Sequence, residues 1–206
     1  MRTSLVMIAV LALGCSDKEK PSEKITEQAA EPTALEPTAA KPVAASEPST
    51  FDAGPVEFCA QELERDETEI LCEDQPVSDL TALAALAALK EVYLRDTQIS
   101  DLSPLAGLTE LQTLKLSNTH VSNLAPLKDL PSLVGLDISG TQITDLSPLA
   151  GLATLEWLDL RRTQVTSVTS LASLTALERL WLGGTNLSDA QVEKLQATLP
   201  NVTILR

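Results

Sequence analysis

The 206-residue chain has a formal net charge of −14 and only 2% aromatic residues, so its apolar content is mainly leucine and alanine. This excludes an ordinary aromatic-rich globule and points to a small unit repeated. Residues 16–79 hold 17 acidic and 5 basic side chains against 12 and 9 in residues 80–206, so no basic groove is present for nucleic acid.

In chain order, Arg2 precedes an unbroken apolar run over residues 5–13. Nine residues cannot span a bilayer as a helix, but they suit the core of an export signal. The run ends in Leu11-Ala12-Leu13-Gly14-Cys15. This resembles the lipobox of bacterial lipoproteins, with Ala12 where leucine is usual. The resemblance implies a signal peptide over 1–14, cleavage before Cys15, and acylation of the Cys15 thiol, including palmitate, and of its new amino group. It places the protein at a bacterial cell envelope, lipid-anchored to the membrane. Ser16, with no Asp there, suggests the outer membrane under the enterobacterial rule, facing the periplasm or the exterior. A plain secretory signal with a chance cysteine is the alternative.

Residues 15–57 then form a tether rich in Pro, Ala and Glu. The blocks Glu31-Pro32-Thr33-Ala34, Glu36-Pro37-Thr38-Ala39 and Lys41-Pro42-Val43-Ala44 place a proline about every five residues. Proline blocks helix, and the segment has too little apolar surface to offset its chain entropy. A disordered, semi-extended spacer is expected, reaching on the order of 100 Å at ~3.1 Å per residue.

Beyond it, Thr97, Thr119, Thr141, Thr163 and Thr185 return every 22 residues inside one frame. Leu89-x-x-Val92-x-Leu94-x-x-Thr97-x-Ile99 recurs as Leu111-x-x-Leu114-x-Leu116-x-x-Thr119-x-Val121, and three more times to Leu187. The second half recurs too, as Asp101-Leu-Ser-Pro104-Leu and Asp145-Leu-Ser-Pro148-Leu. The frame resembles the 22-residue leucine-rich repeats of internalin type over roughly residues 67–206, with Thr where that family usually has Asn. A hydroxyl bonds the turn more weakly than an amide, so a somewhat looser turn is expected. The resemblance implies an α/β repeat solenoid: a curved leucine-rich-repeat domain with a parallel concave sheet, short 3₁₀ or extended convex segments and helical caps. Frame positions 1, 4, 6, 11, 14, 17 and 20 share one core that no unit can bury alone.

Five repeats occupy 89–187. An N-terminal cap and degenerate repeat occupy 58–88, with a short helix expected at 58–66 that turns Phe58 and Leu63 inward. Residues 188–206 are the C-terminal cap. Its helix, from about Asp189 to Thr198, starts at the capping box Ser188-x-x-Gln191, and 201–205 is the closing strand. With Cys15 lipidated, Cys59 and Cys72 remain. In an exported protein they are expected to form a disulfide pinning the cap, two buried free thiols being the alternative.

Positions 3, 5, 7, 8 and 10 project from the concave face. They present Tyr93, Arg95, Lys115, His120, Asp137, Trp157, Asp159, Arg161, Arg162, Arg179 and Trp181 as candidate ligand-binding residues. Both tryptophans and the single tyrosine fall there, and Trp, Tyr and Arg dominate binding hot spots. The competing reading is that the rings only cover sheet, with Arg stacked on them. Lys115 with Asp137, and Arg179 with Asp159, are expected to pair across strands about 4.8 Å apart. Ca²⁺ between the carboxylates is the alternative. His120 has no nucleophile or orienting partner in the frame, and no cofactor fingerprint or metal spacing occurs, so no enzyme, cofactor or metal is expected. The reading is a monomeric binding module on a membrane anchor, recognising a protein or an envelope glycan. A passive spacer lipoprotein is the alternative.

Overall fold

The computed structural model describes residues 56–206; the expected export signal, Cys15 and nearly all of the expected tether lie outside the described residues. Among these, seven three-residue strands form one parallel sheet in chain order: β3 (Glu69–Leu71), β4 (Glu91–Tyr93), β5 (Thr113–Lys115), β6 (Gly135–Asp137), β7 (Trp157–Asp159), β8 (Arg179–Trp181) and β9 (Thr203–Leu205). Each central residue, from Ile70 to Leu180, is buried while its neighbours point to the other face, as strand alternation requires. Register is unbroken: Glu91 faces Thr113, which faces Gly135, which faces Trp157.

Return segments run over 3₁₀ turns such as Ser103–Leu105, Ala125–Leu127 and Ser147–Gly151, with a proline in the first turn. Proline fixes φ and lacks the N–H that a first-turn residue would leave unpaired. The side chain two residues before each turn closes it. Asp79, Asp101, Asn123 and Asp145 accept the backbone N–H of Thr81, Ser103, Ala125 and Ser147 at 2.8–2.9 Å. Hydroxyl bonds from Thr81 and Ser103, then the backbone bonds, hold Asp79 and Asp101 below their ordinary pKa of 3.8, and at Asp145 the backbone bond leads and the Ser147 hydroxyl follows.

Four of the frame threonines are buried and Thr185 is half-buried. Their hydroxyls donate to the carbonyl three residues back, Thr97 to Leu94 at 2.8 Å and Thr141 to Ile138 at 2.6 Å, with the same bond at Thr119, Thr163 and Thr185. One residue earlier the chain turns left-handed in every unit: Asp74, Asp96, Asn118, Gly140, Arg162 and Gly184 have φ between 55° and 75°. Asp, Asn and Gly suit that conformation; Arg162 does not.

The two ends depart from each other. At the C-terminus α1 (Asp189–Thr198) forms as expected, its capping box complete: Ser188 Oγ accepts the Gln191 N–H while Gln191 Oε1 accepts the Ser188 N–H. Leu195 and Leu199 are buried and Val192 is half-buried. The N-terminal cap is not the expected helix. It is an antiparallel hairpin, β1 (Val56–Phe58) and β2 (Gln61–Leu63), turning through Cys59 and Ala60, both at positive φ. Phe58 and Leu63 do point inward. Two consecutive left-handed residues match the right-handed twist of a two-residue hairpin loop, and the pattern Val56-x-Phe58 over Gln61-x-Leu63 has the period of a strand. Cys59 and Cys72 form a disulfide, Cα to Cα 6.0 Å, which ties the hairpin turn to the end of β3.

Candidate functional site: the concave face

The alternate residues of β3–β9 stand in two rows on the concave face. One row reads Glu69, Glu91, Thr113, Gly135, Trp157, Arg179, Thr203. The other reads Leu71, Tyr93, Lys115, Asp137, Asp159, Trp181, Leu205. Of the eleven predicted residues, eight line one open depression of about 380 Å³: Arg95, Lys115, Asp137, Trp157, Asp159, Arg161, Arg179 and Trp181. Tyr93, His120 and Arg162 lie outside that lining. His120 is exposed, and no catalytic partner is hydrogen-bonded to its ring among the described residues.

Neither expected cross-strand ion pair forms. Asp159, 6% exposed, is taken by Arg161 of its own repeat: Arg161 Nε donates to Oδ1 at 3.0 Å and Oδ2 at 2.9 Å, Nη2 donates to Oδ2 at 2.6 Å, and the Arg161 backbone N–H donates to Oδ1 at 3.0 Å. A bidentate fork plus a backbone donor outcompetes a single reach from the next strand, and Asp159 in turn raises the pKa of the Arg161 guanidinium. Asp137, 8% exposed, accepts the backbone N–H and the hydroxyl of Ser139 at 3.0 and 2.7 Å. Lys115, left without a carboxylate, places Nζ 4.8 Å from the centroid of the Tyr93 ring. The Tyr93 hydroxyl donates to Glu91, and this bond, then burial and the charges of Glu91, Glu69 and Glu73, push its pKa up to about 12. No group of three or more His, Cys, Asp or Glu side chains converges among the described residues, so the Ca²⁺ alternative finds no ligand set.

The tryptophans differ from each other. A Cβ on Gly135 would lie 1.9–2.2 Å from Cε2, Cζ2 and Nε1 of Trp157, so that indole is seated on the bare backbone of the neighbouring strand. Trp157 therefore covers sheet as well as facing solvent, and truncating it must disturb packing. For Trp181 no such socket exists; its neighbours in the row are the buried Asp159 and Leu205, which is 42% exposed. The cation stacked on a ring is Lys115, not an arginine.

Sequence reasoning missed three contributors. Gly135 is the one glycine of its row, and the signal was its place directly beside Trp157 in that row. Leu71 and Leu205, 57% and 42% exposed, end the other row at opposite edges of the sheet. Both belong to the first and last units, where the frame is least regular.

A profile for "Leucine Rich repeats (2 copies)" matches residues 87–129 and 109–151. The fold is a leucine-rich-repeat fold. Among solved structures, an internalin of Listeria monocytogenes is similar at 31% identity and TM-score 0.59, over 62% of this chain and 37% of its own. Internalin C2 of the same organism is similar at 36% and 0.61, over 66% of this chain and 61% of its own. A leucine-rich-repeat protein of Leptospira interrogans gives 25% and 0.64, over 68% and 37%. The chain thus spans between about a third and three fifths of the lengths of these relatives. No curated protein matches the sequence. Leucine-rich-repeat domains are general protein-interaction modules, their stacked units presenting extended concave surfaces. Among the described residues no helix is long and apolar enough to cross a membrane.

Proposed function

We propose that this chain is an extracytoplasmic protein-binding module, held at a bacterial envelope by lipid on Cys15, which recognises its partner on the concave face. The observation that carries the reading is the aromatic and apolar strip at the C-terminal end of that face. Trp181 is half-exposed beside the exposed Leu205, in a depression that Trp157, Arg161 and Arg179 complete. Exposed apolar area of this kind, rimmed by arginine, is what binding hot spots are made of. The internalin-like structural neighbours supply the same kind of scaffold.

Crosslinking the full-length protein in intact cells, followed by recovery of its partner and calorimetric titration, tests the reading. Trp181→Ala is expected to weaken binding by at least about 2 kcal/mol, while Lys128→Ala, whose ion pair with Asp129 is exposed, leaves it unchanged. Equal affinities for wild type and Trp181→Ala would make a passive spacer the better account. Mass spectrometry of membrane-extracted protein checks the anchor, which requires a mature N-terminus at an acylated Cys15.

A further inference from the structure

The cations of the concave face are not equally occupied. Arg95 donates to Ser117 Oγ at 2.9 Å and lies 3.9 Å from Glu73, Lys115 sits on Tyr93, and Arg161 is chelated by Asp159. Arg179, exposed at the centre of the C-terminal patch, has neither an ion pair nor a ring contact among the described residues, although Trp157 is its register partner and Trp181 lies two residues on. Of the two carboxylates that line the same depression, Asp159 is held by Arg161, and Asp137 accepts both the N–H and the hydroxyl of Ser139. At the opposite edge of the sheet, Glu69, Glu73 and Glu91 stand on β3 and β4 or just beyond, so an acidic group is repelled there, while over β7–β9 Arg179 offers it a cation with no ion pair of its own.

Resting on the concave-face reading above, we infer that the partner presents an acidic side chain and a large apolar one, two residues apart in an extended segment. The carboxylate seats on Arg179 and the apolar group on Trp181 and Leu205. The spacing follows from the strand: Arg179 and Trp181 project from one face at about 6.6 Å, the distance between alternate side chains of an extended peptide. A guanidinium fork accepts a carboxylate in two parallel hydrogen bonds, which fixes the orientation of the segment as well as its charge.

Both tryptophans of the chain lie in this patch, so their intrinsic fluorescence reports a ligand directly. The experiment pans a random peptide library on the immobilised full chain, then titrates the selected synthetic peptides by tryptophan fluorescence. The expected consensus is Asp or Glu with Leu, Ile, Phe or Trp two positions away. Glu→Gln in such a peptide, or Arg179→Glu in the protein, should weaken binding about tenfold or more. Arg179→Lys should retain part of it, and added salt should weaken it. Because Arg179 is exposed, an unchanged melting curve establishes that the variant is folded. A basic consensus, or acidic peptides that bind Arg179→Glu as well as wild type yet fail on Trp181→Ala, overturns this inference and leaves the concave-face reading standing. Failure to select any peptide, or peptides that neither change tryptophan fluorescence nor respond to Trp181→Ala, overturns both.

Discussion

The two ends of the solenoid solve one problem with different means. The N-terminal end closes with an eight-residue hairpin that fully buries Phe58 and Leu63 alone, and the disulfide from Cys59 to Cys72 holds it. The C-terminal end closes with a ten-residue helix that carries its own capping box and buries Leu195 and Leu199. A covalent tie stands where apolar area is short; hydrogen bonds and aliphatic burial suffice where it is not. The concave face differs in the same sense along its length. Its first strands carry glutamates and satisfied cations, while its last carry tryptophan, an unoccupied arginine and a left-handed arginine.

Breaking the N-terminal tie should have the largest effect. Cys59→Ser is expected to destabilise the hairpin by about 3 kcal/mol through loop-closure entropy. Hydrogen exchange should accelerate around residues 56–80 and stay unchanged beyond β6, because solenoid contacts are nearest-neighbour. Acceleration spread evenly to α1 would mean that the ends are not independent.

The tryptophans sharpen the comparison within the C-terminal half. Trp157→Ala uncovers Gly135 and should lower stability by about 1–2 kcal/mol of lost apolar burial. Trp181→Ala, with no socket beneath it, should stay within about 0.5 kcal/mol of wild type. Urea unfolding of the two variants measures the difference, and equal midpoints would remove the distinction drawn between the rings.

Arg162→Asn should move stability the other way. It places in the last full repeat the residue that Asn118 already supplies at the same φ, and relief of the left-handed conformation is worth roughly 1 kcal/mol. A raised unfolding midpoint is the expected outcome. The reverse change, Asn118→Arg, should lower it and also break the 2.9 Å bond from Asn118 Nδ2 to Asp96.

The smallest effect is in pH. Asp79, Asp101 and Asp145 have folded pKa values below the unfolded one, so their contribution is present above about pH 4 and is lost as pH falls through the folded value. Asp101→Asn should keep the turn, since Asn123 performs the same role with an amide oxygen at 2.9 Å. The variant's unfolding midpoint should then fall less steeply than that of wild type as pH drops below about 4.

Periodicity made the core legible. A side chain recurring every 22 residues must face the same neighbours in every unit, and Leu89 to Leu182 are buried as the frame requires. The capping box at Ser188 was legible because it is local chemistry with one geometric outcome. What escaped lay either outside the frame or across it. The N-terminal hairpin turns through Cys59 and Ala60, neither of which is a usual left-handed residue, so no Gly or Asn announced the turn. The pairing of Asp159 with Arg161 escaped because cross-strand neighbours were weighed and the residue two along the same strand was not. The seat of Trp157 on Gly135 escaped because a glycine presents no side chain, so its place in the column beside Trp157 carried no chemistry of its own.

The unbroken register has a consequence for how such a surface changes over time. On the concave face, sequence separation is a coordinate. Twenty-two residues along the chain is one step of about 4.8 Å across the sheet, and two residues is one step of about 6.6 Å along it. A whole unit added or removed translates one half of that grid against the other without rotating any side chain out of its row. A single substitution rewrites one square and leaves the lattice beneath it unchanged. The protein can thereby lengthen its reach and alter its lettering independently.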